Sequence, residues 1–269
     1  MGDGKGMGKT NGVAENSHRV PTGIEGLDEM LGGGLLYNSV AVIKGAPGTG
    51  KSCIGMEYIS RGIIQHEEPG LIITFEEFPR QLYRDAVSIG FDLRAYEKDN
   101  KLRTIFTTPG VFLREIQQPG GIFDRTIEEI SAKRVFVDSM TQLERITQDP
   151  VQLREIMYTF LNGLLRYEIT ALVTQEDAFI TGNMSVAEAG LSYIVDTIIQ
   201  LRYVEISSSI ERALIVLKHR ASDHDKSIRR MLITSSGIEI KTAFEGREGI
   251  LSGNPYVTRR LKRAEEFFK

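Results

Sequence analysis

The sequence predicts an α/β protein with a mainly parallel central sheet flanked by helices and antiparallel strands added at one edge. Three observations predict it. Short β-type runs alternate with helical stretches from about residue 20 onward. The early runs, Val40-Ala-Val-Ile43, Leu71-Ile-Ile73 and Val135-Phe-Val137, are near-continuously apolar, as strands covered on both faces must be. The later runs lie close together, separated by turn formers at Ser207-Ser-Ser209 and Ser235-Ser-Gly237, a spacing that suits hairpins.

Taken in order, residues 1–17 are rich in Gly, Lys and Asn with little to bury, and read as a disordered tail. From Val20 the pattern changes. Turn residues in Pro21-Thr-Gly-Ile-Glu-Gly26 lead to Leu27, Met30 and Leu31 at helical spacing, and Gly32-Gly-Gly34 stops that short helix. Strands are expected at Ser39–Lys44, Leu71–Phe75, Arg134–Asp138, Thr170–Thr174, Thr197–Arg202, Ala213–Lys218 and Ile228–Ile233. Helices are expected at Gly50–Gln65, Pro79–Ile89, Phe123–Ala132 and Val151–Arg166. In the last of these Leu153, Met157, Phe160, Leu161, Leu164 and Leu165 trace one apolar stripe. Residues 246–269 carry Arg259-Arg-Leu-Lys-Arg263 and Glu265-Glu-Phe-Phe268 and read as a C-terminal tail or short amphipathic helix. That leaves 18–245 as the folded domain.

Composition narrows the class. With 269 residues, 41% hydrophobic and 26% charged, the chain can bury a core of one large domain. Its formal net charge of −3 counts against a dedicated duplex-DNA binder, which usually shows a basic excess. Cys53 is the single cysteine, so no intramolecular disulfide forms, and it reads as a small apolar helix residue. No apolar run reaches the roughly 18 residues of a membrane span, and no secretory signal is legible, so a cytoplasmic protein with no membrane partner is expected.

The strongest chemical signal is Gly45-Ala46-Pro47-Gly48-Thr49-Gly50-Lys51-Ser52, a complete G-x-x-x-x-G-K-[ST] loop between an apolar strand and a helical pattern. Glycines at 45, 48 and 50 let backbone N–H groups curl around an anion without Cβ clashes. The helix that follows, with Lys51, Ser52 and Cys53 in its first turn, aims its positive end at the phosphates. Lys51 can reach the β- and γ-phosphates and the Ser52 hydroxyl can ligate Mg²⁺, so ATP and Mg²⁺ are the expected cofactors. A metal partner should stand at the C-terminal end of a buried strand, and Arg134-Val-Phe-Val-Asp138 supplies Asp138. Thr74-Phe-Glu76-Glu77 ends another strand, and an acid there can polarise water as a general base. Adjacent residues of a strand point to opposite sides, so spacing leaves Glu76 and Glu77 both as candidates. Thr174-Gln175-Glu176 offers a polar γ-phosphate sensor, and helix capping explains it about as well.

Together these segments resemble the KaiC branch of the RecA-like ATPases. The resemblance rests on Pro-Thr-Gly-Ile-Glu-Gly-Leu-Asp28, the loop, Thr-Phe-Glu-Glu77 and Val-Asp-Ser-Met-Thr141. It continues through Val195-Asp-Thr-Ile-Ile-Gln-Leu-Arg-Tyr-Val-Glu205, Lys218-His-Arg220, His224-Asp-Lys226 and Ile250-Leu-Ser-Gly253, about residues 18 to 255. It is closer to the second, kinase-bearing repeat of the family's two-repeat clock protein than to the first. It implies a P-loop NTPase of RecA type assembled as a homo-oligomeric ring, typically a hexamer, with ATP between subunits. It also implies that Glu76 and Glu77 act at the γ-phosphate and that Lys218 and Arg220 reach the neighbour's phosphates.

The chain departs from that pattern in three places. One repeat stands where the clock protein has two. Leu191-Ser192-Tyr193 falls at the family's Ser-Thr phosphosite, so Ser192 is the possible phosphosite of an autokinase and Tyr193 replaces the threonine. Lys218-His-Arg-Ala221 stands for Lys-x-Arg-Gly. A DNA-handling paralogue is the remaining reading. Against it, the stretch Ala178 to Tyr193, where such proteins carry basic loops, has no Lys or Arg, although Arg259–Arg263 offers a basic cluster.

Overall fold

The computed structural model describes residues 18–177, 194–220, 222–244, 247–250 and 256–257. A short antiparallel pair, β1 (Arg19–Val20) and β2 (Leu35–Leu36), encloses the one-turn helix α1 (Leu27–Met30). The body then follows as β3 (Val40–Gly45), α2 (Lys51–His66), β4 (Gly70–Thr74), α3 (Pro79–Ser88), α4 (Leu93–Lys98) and β5 (Leu102–Phe106). Next come α5 (Pro109–Gln117), α6 (Ile122–Ile130), β6 (Arg134–Asp138), α7 (Thr141–Glu144), α8 (Pro150–Leu165) and β7 (Thr170–Glu176). The chain continues with β8 (Thr197–Ile206), β9 (Ser209–His219), β10 (Arg229–Thr234) and β11 (Gly237–Ala243), and a short pair β12 (Arg247–Glu248) and β13 (Tyr256–Val257).

One nine-stranded sheet runs in the order β11-β10-β9-β8-β3-β7-β6-β4-β5. Every pairing from β8 to β5 is parallel, while β9, β10 and β11 are antiparallel additions at one edge, as the sequence pattern predicts. The period-2 alternation of a strand divides the apolar runs between two cores. Ala41, Ile43, Ile72, Phe136 and Leu172 face α1 to α4, whereas Val40, Val42, Ile73, Val135, Val137 and Val173 face α5 to α8. On the second face the rings of Phe75, Phe112, Phe123 and Phe160 meet with centroids 5.5–5.9 Å apart. The α8 stripe is largely buried: Met157, Phe160, Leu161 and Leu164 lie in the core, with Leu153 and Leu165 packed partly against it.

Elements missing from the sequence reading have weak periodicity. Leu102-Arg-Thr-Ile-Phe106 and Gly237-Ile-Glu-Ile-Lys241 mix polar and apolar residues because each is an outer strand of the sheet, with a neighbour on one side only. Helix α4 has 6 residues with Leu93 as its buried one, and α5 has 9 and puts Phe112 and Ile116 into the second core, each too short to show a clear helical period. The β8–β9 hairpin runs further than expected, turning on Ser207 and Ser208 with φ of 52° and 62°, the left-handed pair that a two-residue hairpin loop requires. Ile250 is buried against Val204, Ile206 and Ala213, so packed contacts extend past residue 245. No helix among the described residues is long and apolar enough to cross a membrane.

Helix α2 lies close on the sheet because of Gly55. A Cβ there would come within 2.0 Å of the Phe136 ring, a side chain that is itself fully buried. Gly55→Ala should therefore lower unfolding stability by about 1–3 kcal/mol through overpacking. In urea titration the midpoint is expected to fall with an unchanged m-value.

Candidate nucleotide site

The loop joins the end of β3, a central strand of the sheet, to the start of α2, which packs on the face that carries Ala41 and Ile43. Gly48 and Gly50 take φ of 76° and 105°, left-handed conformations that glycine adopts without strain. Gly45 has no room for a side chain, since a Cβ would lie 2.7 Å from Thr49 Oγ1 and 2.9 Å from the Leu201 carbonyl. Thr49 itself is buried, and its hydroxyl donates to the Ala46 carbonyl at 2.8 Å. Its side chain thus staples the loop and does not face the cleft. Cys53 packs partly against the core, where burial pushes its thiol pKa up. Of the loop side chains, Pro47, Lys51 and Ser52 line the cleft, with Gly48 beside them.

That cleft has a volume of 220 Å³ and is closed by Thr74, Glu76, Glu77, Asp138, Ser139 and Glu176. Parallel register brings these groups to one level. Thr74 stands opposite Asp138 across β4 and β6, and Gly45 opposite Glu176 across β3 and β7. Ser52 Oγ donates to Asp138 Oδ2 at 2.6 Å, and Thr174 Oγ1 donates to Asp138 Oδ1 at 2.5 Å. The aspartate is thereby held from both sides, and the Asp138–Ser139 peptide beyond it is cis. The sequence reading of Thr174-Gln175-Glu176 as a phosphate sensor changes residue by residue. Thr174 orients Asp138, Gln175 is buried with its amide donating to Glu144, and only Glu176 reaches the cleft.

A hydroxyl and a carboxylate in contact are hard oxygen donors of the kind Mg²⁺ takes, and this pair fits the ion expected from the loop motif. Among the described residues no group of three or more His, Cys, Asp or Glu is placed to cage a metal. A magnesium ion held by one or two protein oxygens together with phosphate needs no such cage.

The two glutamates separate in the structure. A tight turn after β4, in which Thr74 Oγ1 accepts the Glu77 N–H at 3.2 Å and donates to the Glu77 carbonyl at 3.0 Å, directs them differently. Glu76 is exposed, hydrogen-bonded to Gln142, with Arg145 Nη1 at 3.6 Å. Glu77 is half-buried, and its carboxyl pKa is raised, first by burial and then by the charges of Asp138, Asp85 and Glu76. A carboxylate with a raised pKa beside the Ser52–Asp138 pair has the properties of a general base. Lys51 folds back so that Nζ donates to the Gly45 and Ala46 carbonyls at 2.8 and 3.0 Å. Burial lowers its pKa, while Asp138, Glu176 and Asp177 act to raise it.

Lys218 and Arg220 do not join this cleft. They lie at the end of β9 that pairs with the start of β8, and Thr197 of β8 stands beside Ala41 of β3. Four residues of strand, roughly 13 Å, separate that level from Gly45. There Lys218 Nζ donates to the Val195 carbonyl at 2.5 Å and Arg220 pairs with Asp196 at 3.3 Å. Ser192 lies outside the described residues. Two groups near the cleft left no sequence signal. Arg145 spans Glu76 and Glu176 from the turn after α7, and Arg212 donates to the Gly48 carbonyl at 3.4 Å while its guanidinium lies 5.8 Å from the ring of Tyr203, its cross-strand neighbour. Both depend on pairings made by the fold.

Residues 20–245 match the family model described as "ATPase: KaiC". The chain belongs to the KaiC ATPase family. It is 37% identical over 246 residues to a circadian clock oscillator protein KaiC of Parathermosynechococcus lividus, covering 88% of this chain and 43% of that protein. It is 35% identical over 240 residues to the circadian clock protein KaiC3 of a Synechocystis strain, covering 89% of this chain and 47% of that one. Against KaiC of Synechococcus elongatus the identity is 34% over 238 residues, covering 88% and 45%. The chain thus spans about half the length of the curated relatives it matches. With the family, the resemblance seen in the sequence and the RecA-type fold class both hold.

An acid whose folded pKa is raised binds its proton more tightly in the folded chain than in the unfolded one. Its contribution to stability therefore falls as pH rises from the ordinary glutamate value of about 4.3 through the folded pKa. Glu77→Gln should be at least as stable as the native chain at pH 7, with the difference closing below about pH 4.3. Thermal unfolding of both proteins across pH 4 to 8 tests this, and a Gln variant less stable at pH 7 would contradict it.

Proposed function

We propose that the chain is an ATP-binding, Mg²⁺-dependent ATPase that works as a ring, with each nucleotide between two subunits. The convergence of Lys51, Ser52, Asp138 and Glu77 on one cleft at the carboxyl ends of parallel strands carries this reading. The loop amides and the α2 N-terminus receive the phosphate chain, and Lys51 neutralises its charge. Ser52 and Asp138 would hold Mg²⁺, which when bound screens the phosphate oxygens and favours the leaving group. Glu77 takes the proton of the attacking water, and Glu76, tethered to Gln142 and Arg145, keeps a second negative charge nearby that favours a basic Glu77.

The position of Lys218 and Arg220 supports a ring. They stand at the opposite end of the sheet from the chain's own loop, so they can serve phosphates only on another subunit. The head-to-tail contact this needs is heterologous, and such a contact makes a ring when its rotation closes. Cations contributed across the interface would couple hydrolysis to assembly, and a regulatory or signalling role fits relatives named as circadian clock proteins.

Lys51→Ala is expected to abolish measurable nucleotide binding in calorimetry with ADP·Mg²⁺. Glu77→Gln should retain binding and lower kcat on the order of 100-fold. Unchanged hydrolysis in either variant would sink the ATPase reading.

For the ring, Arg220→Ala should lose activity on the order of 1000-fold, the scale of an arginine acting on the transferring phosphate. Mixing Arg220→Ala with Lys51→Ala subunits should recover part of it, because some interfaces then join an intact loop to an intact arginine. A mixture no more active than its parts, or sizing that shows a monomer with ATP, would argue against shared sites.

A further inference from the structure

Glu57 lies on α2 two turns past the phosphate loop and touches none of the cleft residues. It is 1% exposed, yet it carries a carboxylate, whose desolvation raises its pKa. Burying an acid is costly unless its oxygens are used. Both are. Oε2 accepts the backbone N–H of Ile238 at 2.6 Å, and Oε1 accepts from Arg61 Nε at 3.2 Å. Arg61 in turn donates to the Ser236 carbonyl at 3.3 Å. Gly237 takes φ +118°, and a Cβ there would lie 2.5 Å from Glu57 Oε1. The start of β11 is therefore fastened to α2 through one carboxylate, across 181 residues of sequence.

The hairpin held this way reaches the loop. Met231 and Ile233 of β10 pack on Gly50, where a Cβ would come within 3.0 Å of Met231 Cε and 2.9 Å of Ile233 Cδ1. Gly50 is the N-cap of α2, in the left-handed conformation that aims the first helix N–H groups at an anion. The turn at the hairpin tip also lies against Gly90, just past α3, where a Cβ would meet the Ser235 carbonyl at 2.7 Å. Helix α3 is the one that Glu77 leads into. The hairpin thus contacts the loop directly at Gly50 and the far end of α3 at Gly90.

We propose that Glu57 is a positioning residue for nucleotide binding: its carboxylate pins the β10–β11 hairpin to α2, so that Met231 and Ile233 hold Gly50 and the loop in their phosphate-receiving shape. This rests on the reading of the loop as a nucleotide site.

The test compares Glu57→Leu, which removes the acceptor, with Glu57→Gln, whose amide oxygen still accepts from Ile238. Calorimetry with ADP·Mg²⁺ and steady-state ATP hydrolysis are measured on full-length protein whose folding is checked by thermal unfolding. Glu57→Leu should raise the Kd for ADP and the KM for ATP about tenfold, with kcat within about twofold of native. Glu57→Gln should return both to within about twofold. A folded Glu57→Leu with native Kd and KM overturns the proposal, and so does a Gln variant as weak as the Leu variant. Should Glu57→Leu fail to fold, Ile233→Ala leaves the Glu57–Ile238 bond in place and should give the same rise in Kd; a native Kd then overturns it. Native protein that binds no ADP would instead remove the nucleotide reading itself, and this one with it.

Discussion

The candidate site depends on the parallel register of four adjacent strands. Gly45, Asp138, Thr74 and Glu176 come from segments up to 131 positions apart, and each would point elsewhere if its strand slipped by one residue. Register is secured because every strand in this group is buried on both faces. Val40 and Val42 can sit in one core only while Ala41 and Ile43 sit in the other. A slip would exchange the two sets against helices whose surfaces are shaped for the original ones. The hydrophobic effect thus places polar groups it never touches.

Close approach is the second requirement. The phosphate loop keeps its curl only if α2 lies near the sheet, and glycines make that possible. Gly55 yields its space to Phe136 and Gly62 to the buried Arg134. That arginine holds Glu68 at 2.6 Å, donates to the Tyr58 carbonyl at 3.2 Å and lies over the Tyr58 ring, tying the far end of α2 to the start of β6. The helix is therefore anchored at both ends of its length, and the loop at its N-terminus inherits that rigidity. Pre-organisation of this kind lets backbone amides meet an anion without first being ordered.

Electrostatics in the cleft run against stability. Asp138, Glu76, Glu77 and Glu176 gather around a single lysine of the loop, and Lys51 is drawn back onto its own carbonyls. Burial first, and then the like charges of Asp138, Asp85 and Glu76, raise the Glu77 pKa, so this acid costs folding free energy once it is ionised. Sites that strain the fold in this way are where local rules are expected to fail in favour of chemistry.

Much of this was legible in the residues alone. Strand β6 lies where its apolar run and terminal aspartate put it, and the phosphate loop is a local motif with local consequences. The fold class follows from runs of four to six residues whose burial is dictated by composition. Other features were not legible because their partners are remote. Which of Glu76 and Glu77 is half-buried beside the Ser52–Asp138 pair depends on a turn stapled by Thr74. That Thr174 orients Asp138, and that Thr49 turns inward, depends on which neighbour each hydroxyl meets. The place of Lys218 and Arg220, far from their own loop, is set by an antiparallel return strand. Sequence by itself determined the chemistry present and the elements that carry it, since periodicity and loop geometry act over a few residues. Only tertiary structure decided which groups share a cleft, because that is a matter of distances between segments far apart in the chain.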